Sequence, residues 1–357
     1  MILADVGLAL DIDLALASNS MALALESQKL NGKAESAESI DHRVFLKDTL
    51  VGLRQPQKSI SPKYFYDEQG SALFDRICEV PEYYVTRTEL QILTEAIPEC
   101  VPLIGKNSLI TEYGSGSGIK TQVLLDGLSA AGSLPHAYIP VEISSAFLNQ
   151  SCELLRSRYP ALLVDPICAD FTKRFEISNE RMASSAKKMV FFPGSTIGNF
   201  DPYQARALMI QTASMLGQNN AILLGVDLVK DLSVLELAYN DRQGITAQFN
   251  MNLLSRMNRE LHANFDLTGF RHKAFFNVEQ SRIEMHLESL KEQVVQIEDE
   301  TVIFMPEETI HTECSYKYTP EAFERLASSA GYTIQKTWTD PKKYFAVYLL
   351  ECSVALV

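Results

Sequence analysis

Leu109-Ile-Thr-Glu-Tyr113 is a short apolar run that enters Gly114-Ser-Gly-Ser-Gly118, and residues 120–128 beyond it carry apolar side chains at helical spacing. The three pieces read as a strand, a glycine loop and a helix. Three alternating glycines have no Cβ, so a ligand can approach the backbone closely. At a strand-to-helix turn, free N–H groups and the helix dipole favour a carboxylate or phosphate. The loop lacks the Gly-x4-Gly-Lys-Ser/Thr spacing of a P-loop, and its glycines do not follow Gly-x-Gly-x-x-Gly. By itself it is compatible with a plain tight turn, so its surroundings decide.

Working outward, strands are predicted at 137–141, 162–164, 189–192 and 221–226, with helical stretches between them, including 145–158. Pro140 inside the second strand predicts an irregularity there. This alternation implies βαβ crossovers and a parallel sheet. The chain ends differently: a helix at 320–330 precedes two strands, 332–338 and 344–351, separated only by a short turn. That is an antiparallel hairpin. Between them, 229–315 breaks the rhythm with a long helical stretch at 233–261 and strand-like runs at 274–278 and 283–290. We read it as an insertion over the carboxyl ends of the strands, where open α/β sheets bind ligands.

Acids stand at successive strand ends. Glu142 closes the second strand, where a carboxylate can accept from both hydroxyls of a ribose. Asp170, beside Phe171, closes the third and suits an adenine amino group and ring face. Each acid alone is an ordinary loop residue. Together with the glycine loop they point to an adenosyl group.

The bulk properties narrow the rest. The chain has 357 residues, 46% of them hydrophobic, and a formal charge of -13. That charge argues against a nucleic-acid partner, and no apolar run of about 18 residues suggests a membrane span. The first 25 residues lack a basic n-region and carry Asp5, Asp11 and Asp13, so an export signal is not expected. Residues 1–40 read as a poorly ordered extension, with a polar linker over 26–45. Six scattered cysteines and six dispersed histidines show no metal-ligand spacing, so reduced thiols, a cytoplasmic monomer and no metal are expected.

The sequence also resembles the histidine-specific methyltransferases of ergothioneine biosynthesis, from about Ser61 to Glu351. The motifs are Lys63-Tyr-Phe-Tyr-Asp67, Gly70-Ser71, Leu73-Phe-Asp75, Pro81-Glu-Tyr-Tyr84, Thr86-Arg-Thr-Glu89, Gly194-Ser-Thr-Ile-Gly-Asn199, Asp227-Leu-Val-Lys-Asp231, Ala238-Tyr239, Thr246-Ala247, Phe249-Asn250, Thr312-Glu-Cys-Ser315 and Lys317-Tyr318. The resemblance implies a class I, Rossmann-like α/β methyltransferase sheet with a terminal antiparallel hairpin, plus a smaller α+β substrate domain. The S-adenosylmethionine-binding domain would be 88–228 with 316–357, and the substrate domain 41–87 with 229–315. Tyr66, Gly114, Lys120, Glu142, Asp170 and Phe171 would contact S-adenosylmethionine. Tyr83, Asn199 and Tyr239 would hold the amino and carboxylate groups of L-histidine, and Glu313 and Ser315 its imidazole. Phe74, Gly194, Thr246 and Met285 would complete the pocket. The strand-end acid is Glu142 where the family pattern has Asp, and Cys314 reads as a spacer facing away.

The implied chemistry is in-line methyl transfer to the α-amino group of L-histidine, three times over, giving Nα,Nα,Nα-trimethyl-L-histidine (hercynine). No residue stands out as a dedicated acid or base. The competing readings are methylation of another amino acid such as a tryptophan derivative, a nicotinamide-dependent oxidoreductase, and a noncatalytic binding module. The glycine pattern and the hairpin oppose the oxidoreductase, and Glu313 with Ser315 favours imidazole over indole.

Overall fold

The computed structural model describes residues 37–352 except 117, 144 and 218. The extension expected at 1–40 lies outside these but for its last four residues. Those four open α1 (Ala37–Leu53), which corrects the linker reading over 37–45, while 26–36 lie outside the described residues: the helix is free of proline and supplied with Ala, Glu, Lys and Leu, good helix formers. The chain divides into two units, 1–48 and 49–357, and the elements below belong to the second.

Helices α2 (Glu68–Glu79) and α3 (Val85–Ile104) lead into β1 (Ser108–Tyr113). Next come α4 (Ile119–Ala130), β2 (Ala137–Glu142), α5 (Ser145–Arg158), β3 (Leu163–Val164) and β4 (Ile167–Cys168). After α6 (Asn179–Ser184) follow β5 (Lys187–Phe192), α7 (Pro202–Leu216) and β6 (Asn220–Asp227). The insertion holds α8 (Leu232–Tyr239), α9 (Ile245–Glu260), β7 (Phe270–Asn277), β8 (Arg282–Ser289), β9 (Gln293–Ile297), β10 (Glu300–Phe304) and β11 (Thr309–Tyr316). Last are α10 (Pro320–Ser329), β12 (Tyr332–Thr339) and β13 (Phe345–Cys352).

The main sheet has the order β12-β13-β6-β5-β1-β2-β3, with β4 also on β2. Strands β6, β5, β1, β2, β3 and β4 run parallel, while β13 is antiparallel to both β6 and β12. β1 and β6 are buried along their whole length. This is why they read as near-continuous apolar runs: both faces of a parallel sheet are covered. Strand order reverses between β1 and β5, so the crevice beyond their carboxyl ends is the switch point where such sheets bind ligands. Gly114–Gly118 and the turn after β5 both lie there.

The irregularity expected at Pro140 is real. β3 pairs with β2 at Ala137 and Tyr138, and β4 only from Val141. The split brackets Pro140, which has no N–H to offer a neighbour. The single helix expected over 233–261 is instead two. Gly244 adopts φ +67°, and the Asp241 carboxylate accepts the N–H groups of Ile245 and Thr246 at 2.9 and 2.8 Å, starting a new helix. β7, β8 and β11 form a separate antiparallel sheet of order β11-β8-β7, and β9 pairs with β10. None of the six cysteines is joined in a disulfide. Among the described residues no helix is long and apolar enough to cross a membrane.

Candidate active site

The glycine loop is held from below. Glu112, at the end of β1, is buried and accepts from Thr121 of α4 at 2.7 Å and Tyr138 of β2 at 2.6 Å. Burial pushes its carboxyl up to about 8 against those two hydrogen bonds. Gly114, Gly116 and Gly118 take φ of +69°, +48° and +70°, and open space lies where Cβ atoms would stand at Gly116 and Gly118. Phe171 stacks on Tyr113 with centroids 5.0 Å apart and approaches Gly114. Asp170 accepts from the backbone N–H of Thr172 at 3.0 Å, closing the turn after β4. Glu142 accepts the N–H of Ile143 at 2.8 Å.

A residue without an assigned role in the sequence reading joins this loop to the next. Glu89 lies on the apolar face of α3 with Val85, Ile92 and Leu93, and is fully buried. Its carboxylate meets the Lys120 ammonium at 2.6 Å and accepts the Gly194 N–H at 2.8 and 3.0 Å. A Cβ at Gly225 would stand 2.0 Å from Glu89 Oε1, so β6 needs a glycine there. Lys120 and Gly194, expected to serve different ligands, share one buried acid.

The second half of the site is an aromatic cup. The Asp67 carboxylate caps α2 through the Gly70 N–H at 2.7 Å and also accepts from Asn252 and Arg259 of α9. Gly70 has no room for a Cβ against the Phe65 carbonyl, 1.7 Å away. This knot places Tyr66 against Phe74 (centroids 5.8 Å), Phe74 against Tyr83 (6.4 Å) and Tyr83 against Tyr239 (6.2 Å). Phe249 packs on both Tyr66 and Phe74, one turn after Thr246 on α9. Burial raises the Tyr66 hydroxyl well above its ordinary value, and Glu313 and Glu142 both lie close enough to add to the shift. Tyr66 thus lies within electrostatic reach of both the acid expected at the ribose and the acid expected at the imidazole.

Glu313 reaches the cup through a β-bulge. In β11 the register skips Thr312, so that His311 faces His286 while Glu313 faces Met285 and Ser315 faces Ile283. Without the extra residue, positions 311 and 313 would share a face. The Thr312 hydroxyl fixes the bulge, its single proton shared between Asn250 Oδ1 at 2.8 Å and the Met285 carbonyl at 3.0 Å. Burial pushes the Glu313 carboxyl up to about 7, with Lys317 opposing, and no described residue donates a hydrogen bond to it. Asn199 lies in the 3-10 turn Thr196–Asn199, and its amide has no protein partner among the described residues. That turn docks on β11 at Gly198, where a Cβ would stand 2.8 Å from the Tyr316 carbonyl oxygen.

Behind Ser315 sits a buried charge network. Asp227, closing β6, binds the Lys317 ammonium at 2.7 Å and the Tyr84 hydroxyl at 2.8 and 2.9 Å, and pairs with Lys230. Burial alone would raise its carboxyl, but the two lysines outweigh it and hold it low. Burial draws Lys230 down to about 8. Lys317 feels the same penalty, yet Asp227 raises it above its ordinary value. Its ammonium also donates to Ser315 Oγ at 2.8 Å and to the Tyr239 hydroxyl at 3.1 Å.

The other face of the β11-β8-β7 sheet carries Glu284, His286 and His311, whose donor atoms lie within 4.8 Å of one another. The two imidazoles stack at 4.7 Å with an 18° tilt. His286 pairs with Glu284 and Thr309 at 3.1 Å each, and His311 Nε2 with the Glu313 carbonyl at 3.0 Å. Arg282 and Asn277 take the remaining Glu284 oxygen. Cys314 points to this face, opposite Glu284 and 3.5 Å from His311, and so turns away from Glu313 as expected.

Contacts therefore link Tyr66, Phe74, Tyr83, Tyr239, Met285, Glu313 and Ser315 into one cup, and Lys120 with Gly194 beside it. Asp170 has no described contact with that group, and Phe171 joins the loop through Tyr113. The residues left without a role were Glu89, Tyr84, Asp227, Lys230 and Lys317. All five stand within the family motifs, and Glu89 carries a second signal, a charge at apolar-face spacing.

A parallel sheet whose last strand is antiparallel, with a glycine loop at its switch point and an acid at the next strand end, defines a class I S-adenosylmethionine-dependent methyltransferase. Residues 45–352 match the family described as histidine-specific methyltransferase, SAM-dependent, and the chain belongs to that family. It is 38% identical over 305 residues to a histidine N-alpha-methyltransferase of Mycolicibacterium smegmatis, covering 85% of this chain and 93% of that protein. Identity to the protein of the same name from Mycobacterium tuberculosis is 36% over 314 residues, with 87% and 96% covered. The ergothioneine biosynthesis protein 1 of Neurospora crassa is 27% identical over 338 residues, which span 88% of this chain and 37% of that longer protein.

Proposed function

We propose that the enzyme methylates the α-amino group of L-histidine, in three successive transfers that yield Nα,Nα,Nα-trimethyl-L-histidine for ergothioneine synthesis. The observation that carries this reading is Glu313, a half-buried carboxylate without a donor among the described residues, set two positions from Ser315 on one face of β11. An imidazole N–H supplies the missing donor. An aromatic ring of carbon alone would leave that carboxylate unpaired, which is the strong form of substrate rejection.

In this reading Tyr66, Gly114, Lys120, Glu142, Asp170 and Phe171 hold S-adenosylmethionine. The open space at Gly116 and Gly118 fits a ligand lying over the loop. Bound there, the sulfonium supplies the methyl group and leaves as a thioether. Tyr83, Tyr239 and Asn199 position the amino acid's amine and carboxylate, while Phe74, Gly194, Thr246 and Met285 wall the pocket. Residues 41–87 and 229–315 then act as the substrate domain against 88–228 and 316–357. Alignment and exclusion of water do most of the work, and good orientation contributes roughly 7–11 kcal/mol. Desolvation lowers the pKa of the substrate ammonium, so its proton leaves without a dedicated base.

Incubation with S-adenosylmethionine and all twenty amino acids, followed by mass analysis, tests the reading. Histidine alone should gain mass, in steps of one, two and three methyl groups. Methylation of a different amino acid, with histidine untouched, would refute it.

A further inference from the structure

The hydrogen-bond arithmetic behind Ser315 goes further than a polar contact. Lys317 is 2% exposed, and its three ammonium protons have three acceptors: Asp227 Oδ2, Ser315 Oγ and the Tyr239 oxygen. Its backbone is fixed as well, since its N–H donates to the Ser281 carbonyl and its own carbonyl accepts from the Ser281 hydroxyl, both at 2.8 Å. The Tyr239 hydroxyl, accepting from Lys317, donates to Ser315 Oγ at 2.9 Å. Ser315 Oγ therefore receives two donors. A hydroxyl oxygen has two acceptor positions and one proton. Both positions are filled, and only the proton is left for the pocket.

We propose that Lys317 is a positioning residue that makes Ser315 an obligate hydrogen-bond donor, so that the pocket selects a neutral imidazole with one bare nitrogen toward Ser315 and its N–H toward Glu313. This rests on the histidine reading and deepens it. A carboxylate beside an imidazole would ordinarily favour the doubly protonated ring. Here the second N–H of an imidazolium would meet a saturated oxygen. The arrangement also disfavours an indole, which carries one N–H and no bare ring nitrogen.

Two measurements test it. Histidine labelled with 15N in the ring, bound to wild-type enzyme with S-adenosylhomocysteine at pH 7, should show one protonated and one unprotonated ring nitrogen. Two protonated nitrogens would overturn the inference and leave the function standing, whereas a failure of histidine to bind would bring down both. The second measurement is a double-mutant cycle read by titration calorimetry. Lys317→Met leaves Asp227 paired with Lys230, and should weaken histidine binding about tenfold, with KM for S-adenosylmethionine within about twofold. Ser315→Ala should cost a similar factor, and the double variant should bind histidine no more weakly than Ser315→Ala alone. Multiplying losses in the double variant would mean that Lys317 does not act through Ser315. If Lys317→Met does not fold, the nitrogen measurement on the wild type decides alone.

Discussion

The two faces of the β11-β8-β7 sheet carry nearly the same chemistry and differ in what is left over. One presents Glu284, His286, His311 and Cys314; the other presents Glu313 and Ser315 with Lys317 beyond. On the first, both carboxylate oxygens and three of the four ring nitrogens are paired within the protein. On the second, Glu313 has no described donor and Ser315 retains a proton. A polar group withdrawn from water without a partner is costly, so under the function proposed above the second face keeps its free capacity for a ligand. The lesson is that residue type does not distinguish the two faces; residual hydrogen-bonding capacity does.

The contrast can be broken most directly at Glu313. Glu313→Ala should lower kcat/KM for histidine by roughly a hundredfold or more, while KM for S-adenosylmethionine stays within about twofold. Unchanged steady-state kinetics would erase the distinction between the faces.

The opposite face should answer in stability. Burial would raise the Glu284 carboxyl, but His286, Arg282 and Asn277 hold it down at about 2. A depressed carboxyl contributes stability above its unfolded pKa of about 4.3 and loses it as pH falls toward 2. Glu284→Gln should therefore cost about 1–3 kcal/mol at pH 7, and progressively less below pH 4, in urea unfolding. Histidine kinetics should stay within about threefold; a kinetic loss as large as that of Glu313→Ala would contradict the division of roles.

The smallest effect has the opposite sign. Burial raises Glu313 to about 7, so its ionisation opposes folding: stability is highest below about pH 4.3, falls as pH rises to 7, and stays lower beyond. Without ligand, Glu313→Gln should be more stable than wild type at pH 8 by about 1 kcal/mol, a few degrees in Tm. The difference should vanish near pH 4. A loss of stability at pH 8 would show that a protein donor satisfies the carboxylate after all.

Much of this was legible in the residues. The parallel strands, the closing hairpin and the loop at 114–118 follow from periodicity and glycine placement, and Pro140 correctly marked a broken edge. The single helix read over 233–261 was wrong because its apolar spacing runs across Asn240–Gly244 while Asp241 caps a new start. The linker reading fails over 37–45, where charge hid good helix propensity. Glu89 and Lys317 received no role because their partners lie far away in sequence, at 120, 194 and 227.

Local order therefore determined the sheet, the glycine turn and the types of side chain available to a ligand, since turn geometry and alternation depend on neighbours within a few positions. Tertiary packing alone decided their use. A single extra residue in β11 at Thr312, pinned by Asn250 from α9, sends His311 to one side and Glu313 to the other. The ammonium of Lys317 reaches Ser315 only because Asp227 on a different sheet holds it there. Hydrogen bonds between distant segments are set by packing, and no spacing rule within one strand encodes them.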